Sequence, residues 1–129
     1  MRPAAIAIVF NEQNEVLLLK RAYPQTNSQS HWGFPGGNLE GFEEPFDAAI
    51  RKTKKETNLD IWHLKRVKRE QYIVQVGELL VHVYTTRHFE NNIILSCEYA
   101  DYVWVSLEQL DNYQLIPGSK ELIEQAIYI

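Results

Sequence analysis

Apolar residues fall in short runs separated by polar turns, and the spacing within the runs changes along the chain. Ala4 to Phe10 is a nearly unbroken apolar run that predicts a strand, and Asn11 to Asn14 predicts the turn that ends it. Val16 to Arg21 predicts a second strand, closed by Lys20 and Arg21. Tyr23 to Ser30 is polar and contains a proline, which predicts a loop. His31 to Phe34 predicts a short strand that leads into a turn at Pro35, Gly36 and Gly37. The period then shifts. Phe46, Ala49, Ile50, Thr53 and Thr57 recur at i, i+3, i+4 spacing, which predicts a helix from about Pro45 to Thr57. Pro45 suits the first turn, where its missing N–H costs nothing, and Asn58 can take the left-handed stop. Leu64 to Val76 alternates and predicts a strand with one wet face. Gly77 and Glu78 predict a tight turn, with Leu79 to Phe89 returning as a hairpin partner. Tyr102 to Val105 predicts another strand. Ser106 and Gln109 fit a capping box for a short helical turn to Leu110. Ser119 can cap a final helix with Leu122, Ile123, Ala126 and Ile127 on one face.

Strands, helix, strands, helix is the order expected of a mixed sheet sandwiched between two helices, in one domain over residues 1–129. A hydrophobic share of 45% and a charged share of 23% are ordinary for a soluble globular chain. The net charge of -4 argues against a general nucleic-acid coat protein. Cys97 is the only cysteine, which rules out an internal disulfide and fits a reducing compartment, so a cytoplasmic location is expected. The N-terminal apolar run is too short for a membrane span and reads as a strand, not as a signal peptide.

Candidate chemistry concentrates between Gly37 and Leu59, in GNLEGFEEPFDAAIRKTKKETNL. Glycines there let the backbone come close to a ligand. The acids Glu40, Glu43, Glu44 and Asp47 follow within a few positions. On the helix, positions 52, 55 and 56 share a face by i, i+3, i+4 spacing. Three carboxylates on that face would make an oxygen-rich cage for Mg²⁺ or Mn²⁺, the hard cations that also grip phosphates. Here Lys52 and Lys55 occupy two of those positions and only Glu56 is acidic. Positive charge at those positions removes ligands and repels a cation.

This stretch resembles the Nudix box. Gly37, Glu43, Arg51, Glu56 and Leu59 are in register with it. Lys52 and Lys55 stand where the family has Glu, Thr53 replaces an aliphatic residue and Asn58 replaces a glycine. The resemblance extends to the LLLKR strand, to WGFPGG before the box and to YVWVSLEQL near the end, and so covers nearly the whole chain. It implies the Nudix α/β/α sandwich, an α+β arrangement with a mixed sheet between helices. It also implies a salt bridge of Glu43 with Arg51, metal contacts from Glu40, Glu56 and the carbonyls of Gly36 and Gly37, and a further acid from a later loop, matched here by Glu98. The implied activity is cleavage of the pyrophosphate in a nucleoside triphosphate or another compound linked to a nucleoside diphosphate, with water as nucleophile. The metal would be bound weakly or not at all if Lys52 and Lys55 fill its place. Dimers are common among such proteins.

Several residues carry two readings. Lys20 and Arg21 touch phosphates or form a solvated strand end. Trp32 and Phe34 both pack in the core, or one of them stacks on a base. Tyr23 closes over a ligand or is an ordinary loop residue. Arg51, Lys52, Lys54, Lys55, Lys65, Arg66, Lys68 and Arg69 are more simply solvated faces than a phosphate or RNA surface. The four histidines are expected to be structural or on the surface. Two functions compete. The first is a Nudix-type hydrolase weakened at Lys52 and Lys55. The second is an inactive module in which those lysines hold a phosphate directly and the chain senses a nucleotide or phosphorylated metabolite. Reversing both lysines turns RKTKKE into RETKEE and restores all three helix acids, so natural divergence and deliberate inactivation of an active parent both account for the sequence.

Overall fold

A computed structural model describes residues 2–22, 31–68, 71–74 and 77–129. Strand β1 (Arg2–Val9) is the organising element. Its apolar run is nearly unbroken because both faces are buried. Ala4 and Ile8 pack in one core cluster with Leu122, Ile123 and Ala126, while Ala5, Ala7 and Val9 face clusters that hold Ala48, Ala49 and Leu59. β1 therefore separates the two helices, α1 (Pro45–Thr57) and α2 (Ser119–Ala126).

Strands β2 (Val16–Arg21), β3 (Trp32–Gly33) and β4 (Gly36–Asn38) follow β1, then β5 (Asp60–Trp62), β6 (Lys65–Lys68), β7 (Gln71–Val74), β8 (Gly77–Thr86), β9 (His88–Glu90) and β10 (Tyr99–Val105). One mixed sheet runs β4-β1-β8-β6, with β7 also on β8, and the β1–β8 pairing is parallel. A second, antiparallel sheet runs β10-β2-β3, and β5 pairs with β9. The mixed sheet between helices is the arrangement the sequence predicts.

α1 begins and ends where its own residues say it should. Pro45 opens it, and Asn58 closes it at φ 70°, donating its N–H to Lys54 O. Asn58→Val should cost about 1–2 kcal/mol, because a β-branched residue is strained in the left-handed region. Urea unfolding measures this, and an unchanged midpoint would mean that the helix end relaxes freely.

Five expectations are corrected. Gly36 and Gly37 are not a free turn but part of β4, paired with Ala5 and Ile6. Phe46 is 40% exposed, while Ala48 and Glu56 join the buried stripe of α1. Gly77 and Glu78 lie inside β8, and the described residues between Leu64 and Val76 form two strands, β6 and β7, not one. Ser106 precedes a 3-10 helix (Leu107–Asn112), but its side chain caps nothing; Gln109 N–H bonds to the Ser106 carbonyl instead. Ser119 is the first residue of α2 and is buried, with Gly118 in the capping position at φ 90°. The predicted loop at Tyr23 to Ser30 lies outside the described residues. Among the described residues, no helix is long and apolar enough to cross a membrane.

Candidate functional site

Glu56 is the centre of the site. It is 1% exposed, near the C-terminal end of α1, with β4 against it. Its Oε1 accepts the Gly36 N–H at 3.0 Å, and its Oε2 lies 3.5 Å from the Lys52 ammonium. Burial pushes the Glu56 carboxyl above the usual carboxylate range, with the Gly36 N–H and Lys52 acting the other way and Glu98 adding to the rise. The end of the Lys52 side chain rests on Gly37, where a Cβ would come within 2.6 Å of Lys52 Cε. Gly37 therefore makes room for a lysine.

Arg51 gathers the preceding acidic loop. Its Nε donates to Glu43 Oε2 at 2.7 Å and its Nη2 to Glu43 Oε1 at 3.0 Å, a two-pronged contact. Nη2 also reaches Asn38 O at 3.2 Å, and Nη1 lies 3.4 Å from Glu40 Oε2. Arg51 and the Glu40 N–H hold Glu43 below the usual carboxylate range. The Glu43–Arg51 tie thus exists as the sequence implies, and Glu40 belongs to the same cluster.

Glu98 reaches this region for a reason that spacing does not reveal. The Ile94 N–H bonds to Thr57 O at 2.9 Å and the Ser96 N–H to Glu56 O at 3.0 Å, so the loop before β10 hangs from the last carbonyls of α1. Glu98 O in turn accepts the Ala22 N–H at 2.9 Å. The neighbouring Tyr99 is buried against Glu56, and its hydroxyl is pushed up first by burial and then by the Glu56 carboxylate. The Arg21 guanidinium lies 5.5 Å from the Tyr99 ring. Tyr99 and the Gly36 N–H are site members that sequence reasoning missed. Adjacency to Glu98 was the only signal for Tyr99.

The remaining candidates divide. Lys20 lies 5.9 Å from the Trp32 ring, while Trp32 and Phe34 are half-buried against the α2-side core. Lys55 is exposed. Among the other basic residues, Lys54 pairs with Asp60 at 3.2 Å, and Arg66 donates to Tyr84 Oη at 3.1 Å. His63 and His88 form an edge-to-face contact at 4.9 Å.

Do these residues fit a divalent metal? Glu56 is taken up by Gly36 and Lys52, and Glu43 and Glu40 by Arg51. Among the described residues, no group of three or more His, Cys, Asp or Glu could hold a metal ion. As the described residues are arranged, these carboxylates are engaged by cations and an N–H and do not fit a divalent metal.

The Lys52–Glu56 pair also bears on stability. Lys52→Met keeps the apolar stem and removes the charge, leaving Glu56 with one N–H donor. The expected cost is about 2 kcal/mol at neutral pH, below the usual figure for a broken buried pair because the lysine is partly wet. The groups facing Glu56 are Lys52, Gly36, Glu98 and Tyr99. A raised folded-state pKa means that stability is lost as pH climbs from the ordinary carboxylate value toward the folded one. Removing Lys52 raises Glu56 further, so the difference between the two proteins should be small near about pH 4 and larger near about pH 7.5. A difference that shrinks toward neutral pH would show that the lysine does not neutralise Glu56.

The NUDIX domain family matches residues 1–126. The 8-oxo-dGTP diphosphatase of Escherichia coli is 29% identical over 68 residues, a stretch that covers 53% of this chain and 52% of that protein. The MutT NUDIX hydrolase of Burkholderia pseudomallei superposes with a TM-score of 0.85 at 20% identity, covering 96% of each chain. The NUDIX domain of Shewanella oneidensis NrtR, solved with ADP ribose, superposes with a TM-score of 0.83 at 21% identity, covering 98% of this chain and 86% of that one. At these identities the structural likeness speaks for the fold alone.

Proposed function

The chain belongs to the Nudix domain family, and from that premise we propose that it is a single Nudix domain over residues 1–129 that takes a nucleoside diphosphate-linked compound, with hydrolysis weakened at Lys52 and Lys55. Hydrolases of this family generally use divalent metals. The observation that carries the reading is the Lys52 ammonium 3.5 Å from the Glu56 carboxylate, against Gly37. The last acid of the helix face is spent on a lysine, so water activation by a metal has little to stand on in this chain.

Other features support the pocket itself. Arg51 ties down the acidic loop, the loop that carries Glu98 hangs from the carbonyls of Glu56 and Thr57, and Arg21 flanks Tyr99. On this reading Arg21 and Lys20, at the end of β2, are the cations that would meet a phosphate. The relatives that act on 8-oxo-dGTP or bind ADP ribose suggest nucleotides as the ligand class.

The test is a panel of nucleoside triphosphates and nucleoside diphosphate sugars, with Mg²⁺ and with Mn²⁺. The unaltered chain runs beside the Lys52→Glu/Lys55→Glu variant. Slow turnover by the unaltered chain and faster turnover by the variant support the reading. No turnover by either would remove the hydrolase lineage from this chain's function and leave ligand binding alone. Fast turnover by the unaltered chain would show that Glu56 and its neighbours suffice.

A further inference from the structure

We propose that Lys52 is a resident cation standing in for the divalent metal, so that this pocket binds the diphosphate of its ligand without any metal. The inference rests on the reading of the pocket as a nucleotide pocket and goes beyond it, because it reverses the cofactor requirement.

Order of burial comes first. The Glu56 side chain is 2% exposed and the Lys52 side chain 15% exposed, so the carboxylate is the inner partner and the ammonium the outer one. An anion that enters from solvent meets the cation before the acid. An ammonium has three N–H donors, and Glu56 engages it at a single 3.5 Å approach, which leaves donors for a phosphate oxygen.

Charge comes second. Each exchange of Glu for Lys moves the local charge by two units, so the exchanges at positions 52 and 55 together move it by four. That change has the same sign as the charge a bound divalent cation would bring. Lys55 stands at i+3 from Lys52 on the helix, where side chains are neighbours, and it is exposed. Glu98 of the later loop faces Glu56, and Arg21 of β2 flanks the neighbouring Tyr99.

The backbone comes third. Lys52 lies so close to Gly37 that a side chain there would strike it. The glycine that would let a backbone approach a ligand is here filled by the lysine stem. The ammonium therefore lies over Gly37 of β4, beside Glu56 of α1, with 15% of the side chain exposed.

Calorimetric titration with inorganic pyrophosphate and with ADP tests this, in EDTA and in Mg²⁺, on the unaltered chain, Lys52→Met and Lys52→Arg. Circular dichroism confirms that each variant is folded before titration. The expected result is binding by the unaltered chain in EDTA, weakened about ten- to hundredfold in Lys52→Met and largely kept in Lys52→Arg. Binding that appears only with Mg²⁺ overturns the inference and leaves the nucleotide pocket standing. Equal binding by Lys52→Met in EDTA overturns it too. If the unaltered chain binds neither probe in either condition the inference fails. The reading of the pocket then fails separately only if the Lys52→Glu/Lys55→Glu variant also turns over no member of the substrate panel.

Discussion

The Lys52→Glu/Lys55→Glu variant should hydrolyse its best substrate at least about 10²–10⁴ times faster than the unaltered chain in the presence of Mg²⁺, the scale of gaining a general base, with restored metal ligands adding to it. The scaffold around the two positions is already formed. Glu56 is fixed by the Gly36 N–H, and the acidic loop is held by Arg51. A carboxylate at position 52 would vacate the space over Gly37 and stand one turn from Glu56. Two carboxylates so close repel one another without a cation, so the variant should be less stable than the parent in EDTA. Mg²⁺ should then stabilise it by about 2.7 kcal/mol at a hundredfold excess over Kd, as any ligand that binds only the folded state does, and raise its melting temperature accordingly. The unaltered chain should show no such rise. Turnover equal to that of the unaltered chain, with no thermal response to Mg²⁺, would mean that the lysines are not what silences the site.

Gly36→Ala should cost about 3–5 kcal/mol and leave little folded protein at physiological temperature. Gly36 sits at φ +148°, where side chains rarely go, and a Cβ there would come within 2.3 Å of the Ala5 carbonyl oxygen and 2.7 Å of Ile6 Cα. Both obstacles are backbone in the central strand, so no rotamer change relieves them. The shift would also pull the Gly36 N–H off Glu56. Chemical unfolding of purified variant against parent measures the loss. A change under about 1 kcal/mol would mean that β4 can detach from β1 with little penalty.

The parts of this molecule legible in its sequence are those whose signals are local. Pro45 and Asn58 bound α1 to the residue because one restricts φ and the other tolerates the left-handed region. Val16–Arg21 carries its strand signal in its own side chains. β4 was not legible, since Gly36–Asn38 has no strand propensity and becomes a strand only by pairing with Ala4 to Ile6. The buried face of α1 was misread for a related reason. A glutamate sits on it, and nothing in the helix alone says that a glycine N–H and a lysine await that carboxylate. The Glu43–Arg51 tie was legible through family resemblance. The i, i+4 spacing of Lys52 and Glu56 allows their pairing, but spacing alone does not tell a lysine that meets Glu56 from one that meets a phosphate. The proximity of Glu98 depends on loop amides finding the end of α1, which is a tertiary event.

The parallel pairing of β1 with β8 has a consequence for how the chain is made. Arg2 to Val9 leaves the ribosome well before its partner, Leu79 to Thr86, which is synthesised only after some seventy intervening residues. Until then the most apolar strand of the protein has only the short, glycine-rich β4 to pair with. Such long-range pairing slows folding, because the loop must close before its contacts form. Nascent chains stopped short of Gly77 should therefore expose β1 to chaperones, and those extended past Thr86 should release them.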